Sequence, residues 1–344
     1  MANRSLILGI ETSCDDTSAA VVLNGRTVLS NIISSQDNLH QRFGGIVPEI
    51  ASRRHLEIIN PIIDEAMAKA GVRFSDLDGI AVSYGPGLVG SLLVGVSAAK
   101  ALAFSLDLPL VGVNHVEGHL YANFLTGATI SFPLLCLVVS GGHTNILYLE
   151  GHGEIEVLGR TRDDAAGEVF DKIARALELG FPGGPVIDRL AVRGDPSSFS
   201  FPRALMGEEG KLDFSFSGVK TAVLNCIRRE MEKGKNVDLH NICAAFQASV
   251  VDVLVEKCLL AARQKNVKNF LLAGGVAANS ELRRRLRQRL EPEKMEVIVP
   301  PVELCTDNGA MIAAAGYYRL RRGFTASYDL NAEPSLNLES RRNC

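Results

Sequence analysis

The sequence of 344 residues predicts an α/β protein made of two similar lobes. Leu6 to Ile33 reads as strand, polar loop, strand, turn, strand, and Leu134 to Gly159 repeats the pattern. Ile80 to Leu106 reads as strand, glycine loop, helix, and Asn269 to Leu290 echoes it. A repeat on this scale has to be weighed before any fold is assigned. A chain of this length holds roughly two cores. A cleft between two such lobes is a natural ligand site.

The elements follow in order. Leu6 to Thr12 is an apolar strand, and Ser13-Cys14-Asp15-Asp16-Thr17 is a polar loop. Ala19 to Leu23 and Thr27 to Ile33 are strands joined by Asn24-Gly25, a strong two-residue hairpin signal. Gly44 to Glu49 is a turn, and a helix runs from there to about Ala70, with a bend expected near Asn60-Pro61. Asp78 to Ser83 is a buried strand that enters Tyr84-Gly85-Pro86-Gly87 and a long helix from Leu88. Gly90, Gly95, Ala98 and Ala99 let that helix approach its neighbours closely. Leu110 to Val113 is a strand, followed by a helix to about Leu125. Strands at Leu134 to Val139, Asn145 to Leu149 and Ile155 to Gly159 open the second lobe, with a turn at Gly151-His152-Gly153. Helices follow at Ala165 to Leu179, around Asp188, at Ser217 to Lys233 and at Leu239 to Gln264. Residues 195 to 216 read as irregular. Glu296 to Val299 is a last strand, and Cys305-Thr306-Asp307-Asn308-Gly309 opens a final helix to about Arg321. The expected layout is a first lobe of residues 1–113 plus 302–327, a connecting helix at 114–131, a second lobe at 132–301 and a mobile tail at 328–344.

Composition narrows the class. With 47% hydrophobic and 22% charged residues the chain reads as globular, and no apolar run reaches a membrane span. Leu88 to Leu106 comes closest. Met1 to Ser5 read as neither signal nor transit segment, and seven scattered cysteines without a CxxC pair suggest reduced thiols in a cytoplasm. The net charge of −3 gives no overall attraction to nucleic acid, so RNA binding would need a local patch. Arg53-Arg54, the run Arg283, Arg284, Arg285, Arg287 and Arg289, and Arg319, Arg321 and Arg322 are candidates, though each also reads as a solvated helix face.

The chemistry centres on Asn114-His115-Val116-Glu117-Gly118-His119. Residues four apart share a helix face, so His115 and His119 can grip one metal ion. Two such histidines can equally be ordinary face residues. A zinc peptidase would need Glu directly after the first His, where Val116 stands. Asp307 is a candidate third ligand, or else the cap of the final helix. Two imidazoles and a carboxylate suit Fe(II) or Zn(II). One divalent ion per subunit is expected, and the donor set leaves Fe(II) and Zn(II) both open. The loops Thr12 to Thr17 and Ser140 to Thr144 hold equivalent places in the repeat and could cradle a phosphate with backbone N–H groups. Gly274-Gly275 ahead of Asn279 puts bare backbone beside a helix N-terminus.

The segments GIETSCDDT, GGIVPEIASRRH, GPGLVGSLLVG, NHVEGHL, LVVSGGHT, DDAAGEVFDK, PGGPVIDRLA, DFSFSGVKT, AGGVAANSELR and CTDNGAM together resemble the tRNA adenosine threonylcarbamoyltransferases of the bacterial TsaD type, once described as O-sialoglycoprotein endopeptidases. The resemblance spans about residues 6 to 325. It implies a duplicated actin-like ATPase fold (hexokinase/Hsp70-type, RNase H-like) with two lobes and an inter-lobe cleft. It implies transfer of threonylcarbamoyl from threonylcarbamoyl-AMP to N6 of the adenosine just 3′ of the anticodon, in tRNAs reading codons that begin with A. By motif, His115, His119 and Asp307 would hold the metal. Val138, Val139, Ser140, Gly141 and Gly142 would contact the adenylate or ATP/ADP, and Asp171, Gly184, Asp188 and Asn279 its ribose and base. Asp15 and Asp16 are candidates for orienting or deprotonating the attacking amine. Implied partners are tRNA, a TsaB-like inactive paralogue docking on helices of the first lobe, and a TsaE-like small ATPase. Two rival expectations are a metallopeptidase and an actin-like nucleotide-binding scaffold without transfer chemistry.

Overall fold

The computed structural model describes residues 4–206, 211–232 and 238–338. It contains two compact units. The first comprises Met1–Ile130, Gly151–Ile155 and Pro300–Cys344, and the second Ser131–Glu150 and Glu156–Val299.

In the first unit, β1 (Leu6–Glu11), β2 (Thr17–Leu23) and β3 (Thr27–Ser34) form an antiparallel meander. The Asn24-Gly25 turn has φ of 53° and 66°, the left-handed pair that the hairpin signal requires. Then come a short α1 (Asp37–His40) and α2 (Pro48–Ala70), one helix assigned straight through Pro61. β4 (Gly79–Gly85), α3 (Val89–Leu106) and β5 (Leu110–Asn114) add parallel strands, giving the order β3-β2-β1-β4-β5. β1, β4 and β5 are buried along most of their length, which is why they read as continuous apolar runs. α4 (His115–Tyr121) leaves β5 directly. α3 is long and apolar enough to cross a membrane by length and composition, the one such helix among the described residues. Here it packs on α2 and β4, burying Leu92, Val96, Ala99 and Ala103.

The final helix, Gly309–Arg321, lies against β1, β2 and β4. A Cβ on Gly9 would stand 2.2 Å from the Gly309 carbonyl oxygen, and one on Gly316 would stand 2.3 Å from Ala81 Cβ. Backbone therefore meets backbone at Gly9, and only a methyl group separates helix from sheet at Gly316. The tail differs from the sequence expectation of mobility. Glu333 N–H donates to Tyr84 O at 2.7 Å, Gly87 N–H to Pro334 O at 3.1 Å, and Lys100 Nζ to Leu330 O at 3.1 Å. These bonds pair carbonyl and amide groups at the end of β4, and they hold the tail at least to residue 336, whose Leu336 side chain faces Gly85. Residues 339–344 lie outside the described residues. The first unit also takes in the whole of α4 and the hairpin turn at Gly151, both placed elsewhere by the sequence reading. At that turn His152 stacks on Tyr318 with ring centroids 3.8 Å apart, and Tyr121 Oη lies 3.2 Å from its Nδ1.

The second unit repeats the plan. β6 (Leu134–Val139), β7 (Thr144–Gly151) and β8 (Glu154–Arg160) correspond to β1–β3. α5 (Ala166–Ala176), α6 (Gly183–Ala191), α7 (Ser217–Glu232) and α8 (Leu239–Lys265) follow. β9 (Asn269–Ala273), α9 (Ser280–Leu290) and β10 (Glu296–Ile298) complete it. The sheet order β10-β9-β6-β7-β8 is the first sheet's order with each strand replaced by its counterpart. α8 is buried almost all round, as its run of apolar residues requires.

Two outcomes are expected. Gly9→Ala forces backbone apart and should destabilise the chain by about 1–3 kcal/mol or more in a denaturant titration. Burial, then Arg26 and Arg322, lower the His152 pKa to about 4. A depressed histidine favours the fold fully above about pH 6.5, and that contribution is lost as pH falls toward 4. His152→Phe should therefore melt closer to wild type, or above it, at pH 4.5 than at pH 7.5. An identical pH dependence for both proteins would contradict this.

Candidate metal centre and nucleotide loops

α4 begins at His115 because Asn114 caps it: Asn114 Oδ1 accepts from the backbone N–H groups of Val116 at 2.9 Å and Glu117 at 3.4 Å. The helix is buried on every face, so its polar side chains must be satisfied inside the protein. His115 Nδ1 lies 3.0 Å from Glu11 Oε2 and 3.0 Å from Ser13 Oγ. Glu11 in turn accepts from Ser13 N–H at 2.5 Å. A proton on Nδ1 directed at Glu11 leaves the Nε2 lone pair exposed to the site. Asp307 Oδ1 stands 3.6 Å from His115 Nε2 and 3.2 Å from His119 Nε2. The ligand atoms of all three residues fall within 4.8 Å of one another. Asp307 does not cap the final helix; Asn308 does, accepting from Met311 N–H at 2.9 Å.

The donor set fits a divalent ion. His119 is fully buried, yet among the described residues neither ring nitrogen makes a hydrogen bond of good geometry, the Nε2 contact with Asp307 being a charge contact only. An ion bonded to Nε2 would satisfy one of them. Burial opposes a charge on His115, but Asp307 and then Glu11 outweigh it and lift the imidazole to about 9. The site draws a positive charge to the place where an ion would sit. Burial and then Asp307 push Asp15 up to about 6, and the same pair, with Asp15 added, pushes Asp16 up to about 8. Both aspartates thus stand close enough to the centre to feel its carboxylate. Their loop is held by His55, whose Nδ1 lies 2.7 Å from Thr17 Oγ1 and whose Nε2 lies 3.0 Å from Cys14 O.

In the second unit, Val138 and Val139 end β6 fully buried, and the chain turns at Ser140. Ser140 N–H donates to His143 O at 2.8 Å, and Gly167 N–H at the start of α5 donates to Ser140 O at 3.2 Å. Cβ atoms on Gly141 and Gly142 would meet nothing within 4 Å, so space lies open beside this loop. Gly274, at φ 89°, sits where a Cβ would be 2.4 Å from Val139 O, which demands glycine. Asn279 caps α9 through Leu282 N–H at 2.9 Å and donates from Nδ2 to Gln247 at 2.8 Å. Asp188 accepts from Ser280 N–H at 3.1 Å and Ser280 Oγ at 2.9 Å. Asp171 accepts from Gly183 N–H at 2.7 Å, beside Gly184, whose Cβ position is open. The structure thus joins Val138–Gly142 to the glycine turn ahead of Asn279, Asp188 to the α9 terminus, and Asp171 to the α6 terminus.

Sequence reading missed Glu11 and His55, and it named Ser13, Glu117 and Arg319 without their parts in bracing this centre. Glu117, fully buried, lies 3.4 Å from Arg319 and so ties α4 to the final helix. Glu11 carried a usable signal, being a charge inside an otherwise apolar strand. The motif residues Asp163 and Asp164 are structural: they bind Phe216 N–H, Ser217 and Lys220, fixing the start of α7 beside α5.

Solved structures with this fold include T. kodakarensis HypF (TM-score 0.60, 17% identity, 95% of this chain and 49% of that one) and the Acidaminococcus fermentans (R)-2-hydroxyglutaryl-CoA dehydratase component A (TM-score 0.52, 14% identity, 93% and 100%). The protein is therefore an α/β protein of the actin-like ATPase fold. The sequence profile described as tRNA N6-adenosine threonylcarbamoyltransferase matches residues 27–314. Relatives with that description are 57% identical in Symbiobacterium thermophilum (98% of each chain) and 58% identical in Geobacillus kaustophilus (96% of each). The chain belongs to the tRNA N6-adenosine threonylcarbamoyltransferase family.

Glu11→Ala frees the His115 ring and should weaken divalent-metal binding about 10–100-fold. Competition between the protein and a chromophoric chelator for Zn(II) or Co(II) reads this directly. Unchanged affinity in a folded variant would remove Glu11 from the site.

Proposed function

We propose that this chain transfers a threonylcarbamoyl group from threonylcarbamoyl-AMP to N6 of the adenosine just 3′ of the anticodon, in tRNAs that read codons beginning with A. The observation that carries the proposal is the near full-length family match in a chain that also clusters His115, His119 and Asp307. These three side chains would hold the ion, Fe(II) or Zn(II). A bound divalent ion supplies Lewis acidity toward negative charge that develops during group transfer. Glu11 and Ser13 orient His115. Backbone N–H groups of Gly141 and Gly142 stabilise phosphate or carbonyl charge, while Ser140 N–H closes the loop onto His143 O. Asp171, Gly184, Asp188 and Asn279 hold the ribose and base, each aspartate also steadying a helix terminus. Asp15 and Asp16, whose carboxyls burial and then Asp307 push up, are the candidates for orienting or deprotonating the attacking amine.

The peptidase reading fails on Glu117, which faces Arg319 instead of standing as a base after the first histidine. A scaffold without chemistry gives no account of two buried histidines converging on an aspartate. We place the protein in the cytoplasm, working with a TsaB-like paralogue and a TsaE-like ATPase.

The test is a reconstituted reaction of protein, threonylcarbamoyl-AMP and an unmodified tRNA, with and without the two partners, its nucleosides read by mass spectrometry. N6-threonylcarbamoyladenosine should form and should fall at least a hundredfold in His119→Ala. Asp15→Asn should lower kcat with little change in KM for the adenylate. No product from metal-loaded protein with both partners would overturn the transferase reading.

A further inference from the structure

A protein of net charge −3 can meet RNA only through cations that no carboxylate neutralises. Much of the arginine that stands out in the sequence is already paired. Arg284 binds Glu281, Arg285 binds Glu281 and Asp252, Arg289 binds Glu256, and Arg54 binds Glu57. Arg319 is taken by Glu117.

A different pair remains available. Arg228 and Arg229, on α7 of the second unit, are both exposed. Among the described residues neither has a carboxylate partner, and Arg229 bonds only to the Asn225 carbonyl, one turn back. They border a hollow of about 630 Å³ whose other wall carries Phe199 and Phe201. Those two rings lie nearly parallel, 9° apart with centroids at 6.0 Å. Phe201 is buried and serves as the floor, while Phe199 is only half-buried. Stacking surface, amide and hydroxyl groups and two uncommitted guanidinium groups are the components of a single-stranded RNA site.

The placement suits the proposed substrate. Ser217, at the start of α7, bonds to Asp164, and Asp164 precedes α5, whose Gly167 N–H is bonded to Ser140. From Ser217 to Arg228 is about 16 Å along the helix at roughly 1.5 Å per residue. That equals about five stacked nucleotides at roughly 3.4 Å each.

We propose that this hollow seats an unpaired base of the tRNA anticodon loop, stacked on Phe199, with Arg228 and Arg229 on the flanking phosphates. The proposal deepens the transferase reading and rests on it for the identity of the RNA.

The experiment uses the full chain and a fluorescein-labelled anticodon stem–loop carrying the unmodified adenosine, with anisotropy followed across a salt series. Arg228→Ala and Arg229→Ala should each weaken binding and each reduce the salt slope by about 0.7–1. Phe199→Ala should weaken it about tenfold at an unchanged slope, and Phe199→Tyr should restore it. Arg284→Ala, which removes a neutralised charge, should bind as wild type does. Melting curves check that Phe199→Ala is folded, and the two exposed arginines carry the test if it is not. Wild-type affinity and slope in Arg228→Ala, Arg229→Ala and folded Phe199→Ala would overturn the proposal, as would an equal loss in Arg284→Ala. A wild-type protein that forms no threonylcarbamoyladenosine yet still needs Phe199 and Arg228 for RNA would overturn the transferase reading and leave the hollow standing.

Discussion

The contact on which the first unit depends is the close approach of the final helix to β1 and β4. Gly9 and Gly309 bring backbone against backbone, and at Gly316 only the Ala81 methyl stands between helix and β4. The helix can therefore start deep inside the unit, and Asn308 caps it there under complete burial. Asp307 is the residue just before that start, so the same approach brings its carboxylate within 3.2 Å of His119. Any side chain at Gly9 would push the helix outward and carry Asp307 with it.

That geometry concentrates charge where water is scarce. Asp307, Asp15 and Asp16 stand near one another, and Glu11 lies fully buried behind His115. Buried carboxylates are costly unless paired. Burial and then the Asp307 carboxylate accordingly push Asp15 and Asp16 up, and Asp307 and Glu11 raise His115 against its burial. The strain is local, because the surrounding elements are held independently: α4 by Asn114 and Arg319, the Asp15 loop by His55. A braced frame around a cluster of carboxylates and imidazoles is a good arrangement for binding a divalent ion with little reorganisation.

The second unit uses the same sheet order for a different end. Its strand termini carry glycine turns and helix N-termini instead of metal ligands. Asp171 and Asp188 each bind the first N–H groups of a neighbouring helix, so the loops around Ser140, Gly184 and Asn279 are braced before any ligand arrives. The Asp164 network extends the bracing to α7 through Lys172 and Lys220, and those contacts hold the Asp164 carboxyl down at about 2 against the effect of burial.

Strand and helix identity was determined by the sequence itself, because alternation, apolar runs and turn residues are local properties. The duplicated plan, the Asn24-Gly25 hairpin and the helical face shared by His115 and His119 all follow from spacings of a few residues. The choice of Asn308 over Asp307 as the cap, the pairing of Glu117 with Arg319, and the part of Glu11 in fixing His115 depend on segments far apart in the chain. So does the tail: residues 328–336 carry no hydrophobic period, and their backbone bonds to the end of β4 cannot be read locally. Charge was the least legible feature. A run of arginines looks basic in one dimension, but it is the partners supplied by α8 and by α9 itself that decide which guanidinium groups remain free. Local pattern fixes what each segment becomes, and only packing decides which polar groups are satisfied and which are left facing a ligand.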